Sequence, residues 1–199
     1  VSLYNETEGT SIPPTPQIGA VGIIKNTDNQ LSNKISENNN QDIIVLGSTR
    51  GHLQCSIYAK EIAKIEKGCP PNINLDEELQ HGKFILDLAS LGLIDACKDL
   101  SDGGIGIALA ELCIMSKVGC EIISPKSLNV NQWLFGEDQA RYIVITNNSE
   151  TIMNKAKSIN IEAKIIGKIK GNSFNLNNNK ISIEKITNIR NNWFHNYFS

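Results

Sequence analysis

Length, composition and charge are those of an ordinary globular protein. The chain has 199 residues, of which 40% are hydrophobic and 20% charged, and its formal net charge is −2. A chain of this size can bury one good core, or one core and part of another. The charge offers no basic field to nucleic acid, and no apolar run reaches the length of a membrane span, so we expect neither as a partner.

The five cysteines are odd in number and show no C-x-x-C spacing. They indicate reduced thiols in a cytoplasmic protein rather than a disulfide framework or a zinc site. The opening residues lack the charged and apolar regions of a secretory signal, which agrees with that location.

The first part of the chain predicts a division into two domains. It begins with a strand-like stretch and a proline-rich loop at 13–16. An apolar run at 18–24 follows and predicts a strand. The polar stretch 26–41 follows and predicts a linker or an exposed loop. We therefore expect residues 1–36 to be the tail of a preceding domain, and residues 37–199 to form the main α/β domain.

From residue 42 onwards, hydrophobic periodicity predicts alternating strands and helices. Strands are predicted at 42–47, 93–100, 119–123, 141–146 and 163–169, with a small hairpin at 174–183. Helices are predicted at 54–67, 75–91, 102–116, 151–159 and 186–198. Gly92 is expected to end the second of these helices. The alternation predicts a layered α/β or α+β sandwich.

Two carboxylates and a glycine pair precede the helix predicted at 102–116. Asp99, Ser101 and Asp102 stand directly before Gly103 and Gly104. Their side chains can cap the free N–H groups of the first helical turn, and the glycines permit positive φ and a close backbone approach. The carboxylates could instead lie near the magnesium of a nucleotide, since they repel phosphate unless a cation intervenes. Capping is the simpler interpretation, and the residues alone leave both open.

A second polar segment, Gly-Glu-Asp-Gln-Ala-Arg at 136–141, leads into a predicted strand. Arg141 can pair with Glu137 or Asp138, and we expect a surface or interdomain ion pair of modest energy. The three histidines lack partners at the spacing of a metal site or a catalytic triad. The chain also has neither a serine nucleophile motif nor a P-loop.

Four segments of the chain point to a family. They are the two polar segments described above, Val-Ser-Leu-Tyr-Asn-Glu-Thr at 1–7, and Ile-Pro-Pro-Thr-Pro-Gln-Ile-Gly at 12–19. In order and spacing they resemble the C-terminal part of the synthetase subunits of phosphoribosylformylglycinamidine synthases, within the aminoimidazole ribonucleotide synthetase-like superfamily. The resemblance covers nearly the whole chain and implies the α/β sandwich of that superfamily's C-terminal domain. In the family Val1 falls inside a longer polypeptide, so we expect the chain to be part of one and inactive alone.

The resemblance implies an ATP- and magnesium-dependent ligase of purine biosynthesis. Such an enzyme activates the formyl amide oxygen of formylglycinamide ribonucleotide (FGAR), and ammonia then displaces phosphate to give the amidine. The ammonia comes from glutamine on a separate amidotransferase subunit, and a small accessory subunit belongs to the same complex. Phosphorylation turns a poor leaving group into a good one, and catalysis rests on positioning and charge stabilisation.

The resemblance also implies roles for individual residues, none of them catalytic. Ser2 is expected to contact the substrate through its hydroxyl group. Independently of the resemblance, the chemistry of its carboxylate makes Glu6 a candidate ligand of magnesium, which prefers hard oxygen donors, and the alternative is a solvated loop side chain. Asp99, Asp102 and Glu137 are candidates for cofactor binding.

Other superfamily members share the Asp-Leu-Ser-Asp-Gly-Gly motif. A selenophosphate synthetase, a thiamine-phosphate kinase or a hydrogenase-maturation protein is therefore an alternative, although the Ser-Leu-Tyr-Asn-Glu opening argues against all three. A non-catalytic scaffolding or dimerisation domain is an alternative of another class. The family usually has His where Lys98 stands, so any hydrogen bond or proton transfer expected of that His is in question here.

Overall fold

The computed structural model describes residues 4–12, 18–24, 26–27, 30–36 and 40–197. Near its start, β1 (Asn5–Thr7) and β2 (Thr10–Ile12) form a small antiparallel sheet. Segment 18–24 forms no strand, so that prediction is wrong, and Val21 and Ile23 are almost fully exposed. A strand needs a neighbour to pair its backbone groups, and no described residue supplies one. The proline-rich loop lies outside the described residues.

The main sheet has seven strands in the spatial order β4-β6-β3-β7-β5-β8-β9. Their bounds are β3 (Asp42–Leu46), β4 (Ala96–Asp99), β5 (Cys120–Ile122), β6 (Tyr142–Thr146), β7 (Ala163–Ile169), β8 (Ser173–Leu176) and β9 (Asn179–Ser182). Neighbouring strands are antiparallel except for β5 and β8, which are parallel. The predicted strands and hairpin from residue 42 onwards are confirmed.

Helices cover both faces of this sheet. They are α1 (Leu75–Ser90), α2 (Gly104–Ser116), α3 (Val130–Phe135), α4 (Ser149–Ser158) and α5 (Ile183–Tyr197). Alternate residues of β3 face opposite sides, with Ile43 in the core beneath α2, α3 and α5, and Ile44 in the core beneath α1 and α4. This arrangement confirms the layered α/β sandwich. Among the described residues, no helix has the length and apolar character to cross a membrane.

Two local features differ from the expectation. The helix predicted at 54–67 is a single π-helical turn, Tyr58–Ile62, because its apolar residues do not form one buried face, and Ile62 is exposed. Helix α3 was not expected, because its six residues are too few to show a helical period in the sequence.

Residues 30–36 reach the main sheet, since Ser32 pairs with Ala96 and Ile35 is buried. The division of the chain at residues 36 and 37 stays a prediction.

Candidate functional site

A cleft of about 430 Å³ opens where β4 ends and α2 begins. Its walls are Glu78 of α1, residues 99–102, Glu137 and residues 139–142. The fold therefore brings together three of the predicted candidates, Asp99, Asp102 and Glu137, which come from two motifs far apart in the sequence. Glu78 is the wall residue that carries no sequence signal for this place, because only the packing of α1 against the sheet brings it here.

The start of α2 is capped from a distant part of the chain. Gly103 occupies the N-cap position in the left-handed conformation, with φ 76°, and no side chain of its own segment caps the helix. Instead, Oε1 of Glu137 accepts the Gly103 N–H at 2.8 Å and the Ile57 N–H at 2.9 Å. The prediction that Asp99, Ser101 or Asp102 caps this helix is wrong, because the cap residue itself is a glycine and a remote carboxylate takes its place.

The side chains predicted to form that cap are consequently free. Asp99, Ser101 and Asp102 are exposed, and in the described part of the chain their side chains make no hydrogen bond or ion pair. Glu78 differs, because its Oε1 accepts the backbone N–H of Ala140 at 2.9 Å. Two uncommitted carboxylates, Asp99 and Asp102, therefore face the cleft beside two that already accept backbone N–H groups, Glu78 and Glu137.

Four carboxylates and one guanidinium, that of Arg141, line the cleft, so acidic groups outnumber basic ones there. Burial is the main reason why the pKa of the Tyr142 hydroxyl is raised, and the negative charges of Glu78 and Asp99 raise it further. Burial is also the main reason why the pKa of the Cys97 thiol rises to about 12, with Asp99 adding to the effect. A phosphate group entering this cleft meets net repulsion unless a cation accompanies it.

The Asp138 carboxylate holds the loop that follows β3. It accepts the backbone N–H groups of Arg50 at 2.9 Å, Gly51 at 2.8 Å and His52 at 3.4 Å. The side chain is buried, so these hydrogen bonds compensate for its loss of hydration.

The Arg141 guanidinium is buried as well, with the residue only 2% exposed. It lies 3.8 Å from Asp138 Oδ2 and donates to the carbonyl oxygens of Asp138 at 2.9 Å and Gly136 at 2.6 Å. Burial lowers its pKa, and the nearby Asp138 and Glu137 oppose that shift. The predicted pairing of Arg141 with Asp138 is therefore present, but the expectation that it lies on the surface or between domains is wrong, because both side chains are buried and backbone carbonyls of the same segment also accept from the guanidinium.

The glycine pair lets α2 approach the second motif closely. Gly103 and Gly104 both have positive φ, 76° and 59°, as expected. A Cβ atom on Gly104 would lie 2.4 Å from the carbonyl oxygen of Gly136. The two walls of the cleft therefore touch through backbone atoms, which fixes their separation.

The remaining predicted residues lie elsewhere. Ser2 is outside the described residues. Glu6 is exposed on β1, where its Oε2 accepts the Tyr4 hydroxyl at 2.6 Å, and it does not line the cleft. Lys98, at the position usually held by His, forms an ion pair with Glu111 of α2 at 3.0 Å. Within the described ranges, no group of three or more His, Cys, Asp or Glu side chains is arranged to hold a metal ion.

The family model and the curated relatives point to one family. The family model described as "AIR synthase related protein, C-terminal domain" matches residues 39–176. A curated relative from Bartonella quintana, phosphoribosylformylglycinamidine synthase subunit PurL, is 39% identical over 198 residues, which cover 98% of this chain and 27% of the relative. The chain spans about a quarter of the length of the curated relatives it matches.

Solved structures share the fold. T. maritima PurL complexed with FGAR has a TM-score of 0.68 and 16% identity, covering 81% of this chain and 30% of that chain. T. maritima PurL complexed with ATP has a TM-score of 0.61 and 15% identity, covering 81% of this chain and 28% of that chain. At these identities the likeness establishes the architecture.

Proposed function

We infer the function from the family: this chain belongs to the AIR synthase related proteins and contains their C-terminal domain. We propose that it forms the C-terminal part of the synthetase subunit of a phosphoribosylformylglycinamidine synthase. The observation that carries the proposal is the 39% identity to the Bartonella quintana subunit over 198 residues. The acidic cleft formed by the two motifs supports it, because this cleft offers uncommitted carboxylates at the start of a helix.

In this proposal the complete subunit is a ligase that converts FGAR into formylglycinamidine ribonucleotide in purine biosynthesis. ATP phosphorylates the formyl amide oxygen, ammonia attacks the carbon, a C–N bond forms and the C–O bond breaks as phosphate leaves. The T. maritima complexes with FGAR and with ATP support these two ligands. The proposed partners are a glutamine amidotransferase subunit that releases ammonia and a small accessory subunit, all in the cytoplasm.

Asp99 and Asp102 are the residues of this cleft that we propose to hold magnesium beside the ATP phosphates. Sites of this kind usually bind Mg²⁺ through one or two carboxylates, with phosphate oxygens and water completing the coordination. The donor set fits, because both side chains are exposed in the cleft and have no hydrogen bond or ion pair among the described residues. When bound, the cation neutralises phosphate charge that the acidic cleft repels. Substrate contact by Ser2 and metal binding by Glu6 remain parts of the proposal.

Phosphate release and calorimetric titration on the full-length subunit test the proposal. We expect phosphate release to require FGAR, ATP–Mg and ammonia, and Asp99→Asn or Asp102→Asn to weaken ATP–Mg binding by about tenfold or more, since each removes a charge. The matched control is Asp87→Asn, because Asp87 is exposed on α1 and does not line the cleft. Turnover of thiamine phosphate or selenide instead of FGAR would identify another superfamily activity, and binding of no nucleotide would indicate a scaffold.

A further inference from the structure

We propose that Glu137 is a positioning residue that holds the free carboxylates of the cleft in place, and that it is not itself a ligand of nucleotide or metal. This inference rests on the proposed function. Its basis is the single oxygen, Oε1, that accepts the Gly103 N–H at 2.8 Å and the Ile57 N–H at 2.9 Å. That oxygen joins three segments of the chain that are distant in sequence.

Both donors lie at the start of a helical segment. Gly103 is the N-cap of α2, and Ile57 is the N-cap of the π-helical turn Tyr58–Ile62. The N-terminal amide groups of a helix carry partial positive charge and have no partner within it. A carboxylate shared between two such ends makes charge-assisted hydrogen bonds, which are stronger than neutral ones. The negative charge of Glu137 therefore already interacts with two backbone N–H groups of the protein itself.

Glu137 can position the loop because its own backbone is fixed. Its N–H donates to the His52 carbonyl at 2.8 Å. The next residue, Asp138, is buried and accepts the N–H groups of Arg50 and Gly51. The backbone of Glu137 is thus held in place, and its side chain extends from there to the start of α2.

Asp102 depends on this link more than Asp99 does. Asp99 is the last residue of β4 and pairs with Tyr142 of β6, so the sheet holds its backbone. Asp102 lies in the turn between β4 and α2, directly before Gly103, whose N–H is anchored by Glu137. Removing the anchor therefore frees the backbone that carries the Asp102 carboxylate.

Two substitutions separate positioning from ligand binding. Glu137→Gln keeps an oxygen that can accept both N–H groups but removes the charge, whereas Glu137→Ala removes both. In the full-length subunit we expect kcat/KM for ATP–Mg to fall about 10- to 100-fold in Glu137→Ala and to stay within about threefold in Glu137→Gln. Glu66→Ala is the control, because Glu66 is exposed and does not line the cleft.

Amide hydrogen exchange on the 199-residue chain provides a readout that does not depend on activity. We expect Glu137→Ala to speed exchange at Gly103 and Ile57 by about tenfold or more, and Glu137→Gln to preserve most of the protection. This measurement also applies if the full-length alanine variant folds poorly.

The outcomes are distinct. Unchanged exchange at both amides in Glu137→Ala overturns the proposal, and so does a Glu137→Gln enzyme as impaired as Glu137→Ala while its two amides stay protected. The latter result assigns Glu137 to the nucleotide or metal. A wild-type subunit without FGAR-dependent phosphate release refutes the proposed function instead, and the exchange data still report whether Glu137 anchors the loop.

Discussion

Replacing Gly104 by alanine is expected to destabilise the fold at the point where α2 meets the second motif. The added Cβ atom lies 2.4 Å from the Gly136 carbonyl oxygen and 3.0 Å from that of Leu134. Both are backbone atoms, so no side-chain rotation relieves the contact. The left-handed φ of 59° costs an L-residue about 1–2 kcal/mol, and overpacking against fixed backbone adds about 1–3 kcal/mol. The expected loss in the free energy of unfolding is therefore about 2–5 kcal/mol.

Urea denaturation followed by circular dichroism measures this loss as a shift in midpoint at constant m-value. Gly92→Ala is the matched control, because Gly92 has a similar φ of 63° but no atom within 4 Å of an added Cβ. It should lose only the conformational part, about 1–2 kcal/mol. Equal losses in the two variants would show that the close approach of α2 is not what requires glycine, and would refute the reasoning.

Three further predictions concern stability and exposure. Asp138→Asn removes the buried charge that three backbone N–H groups share, so we expect a loss of about 1–3 kcal/mol in thermal or chemical denaturation, and an unchanged midpoint contradicts this. The hydrogen bond from Lys164 is the main reason why the pKa of Glu162 is lowered in the folded protein. The ionised Glu162 carboxylate therefore stabilises the fold at pH values above its ordinary pKa of 4.5, and this stabilisation is lost as pH falls through the folded-state pKa. Glu162→Gln should therefore flatten the acid side of the stability–pH curve, and an unaltered slope argues against it. Thermolysin should cut within the exposed segment 18–24 before it cuts 31–36, where Ile35 is buried, and mass spectrometry of the first fragments decides the order.

Much of the fold could be predicted because its signals are local. β7 (Ala163–Ile169) has the bounds that its sequence pattern predicts, and α1 ends as expected before Gly92, whose φ is 63°. The π-helical turn could not be predicted, because a remote contact supports it: the Tyr58 ring stacks on Phe135 with ring centroids 5.3 Å apart.

The motifs single out candidate residues of the cleft, but they do not show the hydrogen bonds that those residues make. The two motifs contain Asp99, Asp102 and Glu137, and all three residues line one cleft. What the motifs cannot show is which carboxylate is engaged. The partners of Glu137 are 34 and 80 residues away, and no local pattern encodes a pairing of that separation.

The glycine pair and the remote carboxylate together change what the first motif can do. A helix that begins at Asp102 and is capped by its own side chain would commit that carboxylate to backbone N–H groups. Gly103 is the cap residue instead, and its backbone N–H donates to the Glu137 carboxylate on the opposite wall of the cleft. Asp99 and Asp102 then remain exposed on the cleft, and neither side chain has a hydrogen bond or ion pair among the described residues. Carboxylates without a protein partner suit the binding of a cation that brings its own phosphate ligands, and the cap supplied by Glu137 is what leaves the Asp102 carboxylate free for such a role.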